Sequence, residues 1–160
     1  ARTPTGRIWE SRSMDDGKTW ADPKPSALVH PDAPPMVFHL SDDKTLITFH
    51  HNRHINTQYV GLTGKMDGMR DRAEIWISLS KDGGRNWSEP QFLFTNVTRS
   101  NPAKNGWFNH NSSYMDAVID GGTIHLFLPH LWNRALYMHL EEKDLAELPT
   151  TKKLARRLAK

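Results

Sequence analysis

The sequence predicts an all-β fold built from repeated four-stranded antiparallel units, with a short helix near the C-terminus. Three observations carry that expectation. The octapeptide Ser13-Met14-Asp15-Asp16-Gly17-Lys18-Thr19-Trp20 returns 67 residues later as Ser80-Lys81-Asp82-Gly83-Gly84-Arg85-Asn86-Trp87. Both copies read Ser-x-Asp-x-Gly-x-(Thr/Asn)-Trp, and a motif that recurs at long period marks a repeat architecture. Each copy follows a strand-like run, Arg7 to Ser13 and Glu74 to Ser80, the second with clear alternation of apolar and polar residues. Hydrophobic residues make up 37% of the 160 and mean hydropathy is −0.67, which suits short strands separated by polar turns.

The repeated motif explains itself as a turn. A tight hairpin needs a residue that accepts positive φ, and Gly17 and Gly84 supply it. Asp15 and Asp82 can accept hydrogen bonds from backbone N–H groups inside the turn. Trp20 and Trp87 can then lie over it, and Ser13, Thr19 and Ser80 complete the shared pattern. This chemistry predicts a folding role for the motif rather than a ligand-binding one.

The elements follow in order. The first unit is incomplete: a strand over 7–13, the turn, and an exit from Trp20 to Pro25. The second starts at Pro34-Pro35, with strands at Met36 to Leu40 and Thr45 to His50, a long loop from Asn52 to Asp71, a strand at 74–80, the second turn and a strand at Gln91 to Thr95. The third has Ser113 to Ile119, the turn Asp120-Gly121-Gly122, Thr123 to Leu128 and Ala135 to Leu140, without a copy of the motif. Glu141 to Leu148 reads as a short helical turn stopped by Pro149.

Four antiparallel strands per unit, with one turn type between the third and fourth, is the pattern of a β-propeller blade. Residues 1–150 are thus expected to form a partial propeller of about two and a half blades. So few blades leave strand edges open, so the remaining blades are expected upstream or on another chain. The tail, 151–160, holds five basic side chains and no acidic one; without it the chain carries 16 basic and 18 acidic residues. Leu154 and Leu158 stand four apart, but a segment this short reads as a solvated, frayed terminus.

Composition narrows the function classes. The net charge of +3 reflects the tail rather than a basic face, so nucleic acid is not an expected partner. No run of 18 apolar residues is present to span a membrane. Cysteine is absent, which leaves the compartment open; secreted or periplasmic sites are both compatible. His50-His51-Asn52-Arg53-His54 lacks the spacing of a closed metal site. At the end of a strand entering a long loop, His51, Asn52 and Arg53 read better as sugar-binding residues. Trp132 and Arg134 follow the equivalent strand of the next unit, where an indole can stack on a sugar face and a guanidinium can bind an anion. Trp107 and Phe108, just before Tyr114, have a similar look.

The repeated motif resembles the Asp-box of sialidases and other BNR-repeat β-propellers. That resemblance covers roughly residues 7 to 149 and implies a six-bladed propeller of which this is the C-terminal part. In sialidases an arginine of the triad that grips the substrate carboxylate opens the strand leading into an Asp-box, and Arg72 stands eight residues before Ser80. The family's nucleophilic tyrosine opens a strand of the next blade. The stretch Asn111 to Ile124, with Tyr114 and the turn Asp120-Gly121-Gly122, has that form, 42 residues beyond Arg72. Arg53 and Arg70 compete with Arg72 for the same anion, and Asp116 would share a strand face with Tyr114.

The chemistry gives reasons for both residue types. A guanidinium grips a carboxylate through paired charge-assisted bonds. Sialic acid carries its carboxylate on the anomeric carbon, which repels a carboxylate nucleophile but not a neutral phenol. The resemblance therefore implies a retaining exo-glycosidase on terminal anionic sugars of a glycan or glycoconjugate, with no cofactor and no metal. The acid/base Asp and the other arginines are expected in other blades, and the isolated 160 residues are expected to be inactive. A polysaccharide lyase on uronate-containing glycans and a non-catalytic carbohydrate-binding propeller stand as alternatives.

Overall fold

The computed structural model describes residues 1–52, 58–61, 64–67, 72, 74–95, 112–130 and 134–158. Strand β1 (Arg7–Glu10) pairs antiparallel with β2 (Lys24–Val29). Strands β3 (Met36–His39) and β4 (Leu46–His50) are followed by the hairpin β5 (Gln58–Gly61) and β6 (Gly64–Asp67), and then by β7 (Glu74–Ser80) and β8 (Gln91–Thr95). The order β3-β4-β7-β8 makes one antiparallel four-stranded sheet, with the second Ser-x-Asp turn between its third and fourth strands. Strands β9 (Asp116–Asp120), β10 (Thr123–His130) and β11 (Arg134–Glu141) make a three-stranded antiparallel sheet. A 3₁₀ helix (Glu142–Glu147) and helix α1 (Thr151–Leu158) follow.

The two copies of the motif fold alike, in different sheets. Asp15 Oδ1 accepts the Thr19 N–H at 2.8 Å and its Oδ2 accepts the Thr19 hydroxyl at 2.6 Å. Asp82 does the same with Asn86, at 2.9 Å to the backbone and 2.6 Å to the amide. Ser13 and Ser80 accept from the Gly17 and Gly84 N–H groups at 2.7 and 2.9 Å. Gly17 and Gly84 sit at φ +83° and +80°, where a Cβ is costly. The Trp20 indole donates to the Gly17 carbonyl at 3.1 Å. These bonds favour the ionised carboxylates. The hydrogen bonds from Thr19 and from Asn86 lead in holding Asp15 and Asp82 down to about 2. Asp42, between β3 and β4, is held equally low by Thr45 and Lys44.

The main core lies between the four-stranded and three-stranded sheets. Ile47, Phe49, Ile75 and Ile77 meet Met115, Ile124, Leu126 and Leu128, all essentially buried. Alternation sets the faces: on β10, Ile124, Leu126 and Leu128 point inward while Phe127 points out. Polar bonds stitch the seams. Ser41 Oγ accepts the Gly122 N–H at 2.9 Å, and the Ser41 N–H reaches Glu142 Oε1 at 2.8 Å. Arg12 Nη1 donates to the Gly83 carbonyl at 2.8 Å, tying the β1–β2 end to the second turn.

The structure departs from the sequence reading at five places. Strand β2 was hidden by Pro23 and Pro25, which break the alternation; the Arg7 guanidinium takes the Ser26 and Ala27 carbonyls at 3.3 and 3.1 Å. Strand β1 ends at Glu10 rather than residue 13, because Ser13 is committed to the turn. The loop expected over 52–71 contains the β5–β6 hairpin. Strand β9 begins at Asp116 rather than Ser113, because Tyr114 at φ +63° interrupts extended backbone. The basic tail is helical through Leu158 rather than frayed. Glu89 Oε1 accepts the Lys152 N–H at 3.0 Å and the Thr151 hydroxyl at 2.5 Å, an anion at a helix N-terminus.

Two outcomes are expected of this packing. Ile47→Ala removes a fully buried side chain and should lower unfolding free energy by about 2–5 kcal/mol in a denaturant titration. Free aspartate ionises near 3.8, whereas Asp15, Asp42 and Asp82 ionise near 2. A depressed carboxyl stabilises the native state above its unfolded value and loses that contribution as pH falls through the folded value. The urea midpoint should therefore drop from about pH 4 to about pH 2. Asp82→Asn should flatten the drop, and an unchanged slope would count against this assignment.

Candidate functional site

Arg72, the residue two before β7, gathers three stretches of chain. Its Nη1 donates to Ser113 Oγ at 3.3 Å, and its Nη2 donates to the Asp32 carbonyl. Its own carbonyl accepts the Ser112 N–H at 2.9 Å. Ser113 leads directly to Tyr114. Asp32 also faces Arg2, whose Nε lies 2.5 Å from the Asp32 carboxylate. The hydrogen bond to Asp32 leads in raising the Arg2 pKa, and the Tyr114 side chain contributes in the same direction. Two guanidinia, one carboxylate, one hydroxyl and one phenol thus form a connected group.

Tyr114 stands at the surface of this group. It is 52% exposed and lies outside the core. Its φ of +63° is costly for a bulky side chain, about 1–3 kcal/mol. Backbone held this way concentrates at functional sites. Tyr114 and Asp116 line a cleft of about 270 Å³ together with Phe127, Pro129 and Arg134. The cleft therefore has an apolar wall, a phenol, a carboxylate and a cation.

Three histidines lie behind the cluster. His30, His50 and His51 are at most 1% exposed. His50 Nδ1 donates to the Val29 carbonyl at 3.3 Å, and its Nε2 takes the Ser78 hydroxyl at 3.1 Å. His51 Nδ1 donates to the Glu74 carbonyl at 2.8 Å. Desolvation, reinforced by a neighbouring imidazole, holds both His30 and His50 down to about 3, so both are neutral across the physiological range.

The residues expected from sequence divide accordingly. Tyr114 and Arg134 share the cleft, and Arg72 stands one hydrogen bond from Ser113 beside Tyr114. Asn52 is half-buried at φ +49°. His51 is fully buried and supports the surface from beneath rather than offering its ring to a sugar. Arg53, Arg70 and Trp132, with Trp107 and Phe108, lie outside the described residues. Ser13, Asp15, Thr19, Trp20, Ser80, Asp82 and Trp87 serve their own turns. Sequence reasoning missed Arg2, Asp32 and His30. Asp32 lies in a proline-flanked segment without period, and only the fold brings it to Arg72. Among the described residues no three His, Cys, Asp or Glu side chains gather as a metal site, and no helix is long and apolar enough to cross a membrane.

Comparison with known families agrees with the turn and sheet pattern: residues 1–126 match the family described as BNR repeat-like domain. No curated protein matches the chain.

Arg72→Ala should cost about 1–3 kcal/mol of stability, because it strips a charged donor from two partners. Arg72→Lys keeps the charge but not the fork and should recover only part of that loss. Chemical denaturation of the three proteins measures both.

Proposed function

Because this chain belongs to the BNR repeat-like domain family, we propose that it forms part of a sialidase-like β-propeller that hydrolyses terminal anionic sugars such as sialic acid. The gathering of Arg2, Arg72 and Tyr114 about Asp32 and Ser113 carries this reading. Residues 1–150 are the propeller portion and 151–160 its tail. The four-stranded sheet, with its turn between the third and fourth strands, supports a blade assignment. So does the outer face of the three-stranded sheet away from the cleft, where Val118 and Tyr137 are 57 and 56% exposed. That face is the kind that packs against a further blade of the six expected.

In this reading the guanidinia of Arg72 and Arg2 hold the sugar carboxylate, and Arg134 adds positive charge in the cleft that Tyr114 lines. Tyr114 Oη bonds to the anomeric carbon as the glycosidic C–O bond breaks and the aglycone oxygen takes a proton from the acid/base Asp expected in another blade. The phenol gives its proton to a carboxylate, for which Asp116 lines the cleft. Water then cleaves the tyrosyl–sugar bond, and configuration is retained. Asn52, Arg53, Arg70 and Trp132 are proposed to extend the sugar contacts.

The test is cleavage of a fluorogenic sialoside by the intact protein. Tyr114→Phe should lose more than about a hundredfold in kcat/KM with its unfolding midpoint unchanged. Turnover at the parent rate would refute the nucleophile. Absorbance from an unsaturated uronate product would identify a lyase instead, and glycan binding without either activity would identify a binding module.

A further inference from the structure

His30 makes a set of contacts that the proposed chemistry does not use. Its Nε2 lies 2.8 Å from the Ala33 carbonyl. A carbonyl only accepts, so Nε2 carries the hydrogen and Nδ1 is bare. The bare Nδ1 accepts the His51 N–H at 3.3 Å. The two rings also stack, with centroids 5.4 Å apart and planes 19° from parallel. His51 in turn donates from Nδ1 to the Glu74 carbonyl at 2.8 Å. The His30 backbone N–H reaches the Gly6 carbonyl at 3.1 Å. The His30 ring thus ties the Ala33 carbonyl to His51 at the end of β4, while His51 itself reaches the start of β7 and the His30 backbone reaches the segment before β1.

What this ring holds is the turn carrying Asp32. The Ala33 N–H bonds the Pro31 carbonyl at 2.7 Å, a three-residue turn with Asp32 at its centre. The carbonyl of that central residue accepts from Arg72, and its carboxylate accepts from Arg2. Both guanidinia therefore share one partner residue.

We infer that His30 is a positioning residue: its neutral, Nε2-protonated ring fixes the Pro31–Ala33 turn, so that Asp32 sets the spacing of Arg2 and Arg72 for a bound carboxylate. The role of the spacing rests on the anionic-sugar reading above; the clamp on the turn does not. Burial leads in keeping the ring neutral, and the adjoining His51 and Arg72 act in the same direction.

Two readouts keep the two apart. With the sialoside, His30→Phe preserves the ring volume and removes both nitrogens. It should raise KM about ten- to a hundredfold, as expected for a misplaced binding pair, with kcat within a few-fold. His30→Gln, whose amide can reach the Ala33 carbonyl, should restore KM to within a few-fold. Without substrate, the Nε–H signal of Arg2 in a spectrum of ¹⁵N-arginine protein reports the bond to Asp32. It should lose its protection in His30→Phe and keep it in His30→Gln. Should His30→Phe not fold, His30→Asn, too short to reach Ala33, takes its place. An unchanged Arg2 signal in the nitrogen-free variant, or a wild-type ring protonated on Nδ1, overturns the clamp. An intact clamp with no sialoside turnover in any variant defeats only the hydrolase reading.

Discussion

The guanidinium of Arg72 is where three separate sheets meet. Arg72 itself precedes β7 of the four-stranded sheet, its Asp32 partner follows the strand β2, and its Ser113 partner precedes β9. No apolar contact could do this, because the groups joined are a carbonyl and a hydroxyl at the polar ends of strands. A planar cation with five donors can serve both at once. The surface group of Arg2, Asp32 and Tyr114 is assembled on it.

The rest of the architecture holds that junction at fixed geometry. Each Ser-x-Asp turn satisfies itself, with the carboxylate bonding one backbone N–H and one side chain four residues on. Such a turn needs no neighbour to form, so it can end a strand pair wherever the sheet requires. The apolar core then fixes the sheets face to face, Ile47, Phe49, Ile75 and Ile77 against Ile124, Leu126 and Leu128. Polar stitches at Ser41 and Arg12 set how the sheets meet at their turn ends. Against this rigid background the positive φ of Tyr114 is sustained by its surroundings, and the phenol is held out over the cleft.

Local chemistry was legible in the sequence and long-range convergence was not. The octapeptides announced their turns because every bond in them spans four residues or fewer. The strands of the four-stranded sheet were read as strands, β7 by its alternation, and so were β10 and β11. Strand β2 was not, since Pro23 before it and Pro25 within it break the alternation while an arginine from β1 takes its carbonyls. Tyr114 and Arg72 were visible through their placement relative to the repeat. Asp32 and Arg2 were not, because they meet only across 30 residues of chain, and Asp32 meets Arg72 across 40. The histidines misled for a related reason: His51 follows a strand beside a loop, as a surface residue would, yet stacking on His30 draws it fully inside.

Central to the proposed function is one anion site where the chain ends of the three sheets converge on Arg72. A crystal structure of the intact protein with bound N-acetylneuraminic acid tests this most directly. The account predicts the sugar carboxylate between Arg2 and Arg72, with the anomeric carbon facing Tyr114 Oη. A sugar seated elsewhere on the protein, or one bound here with its carboxylate turned away from both guanidinia, would contradict it.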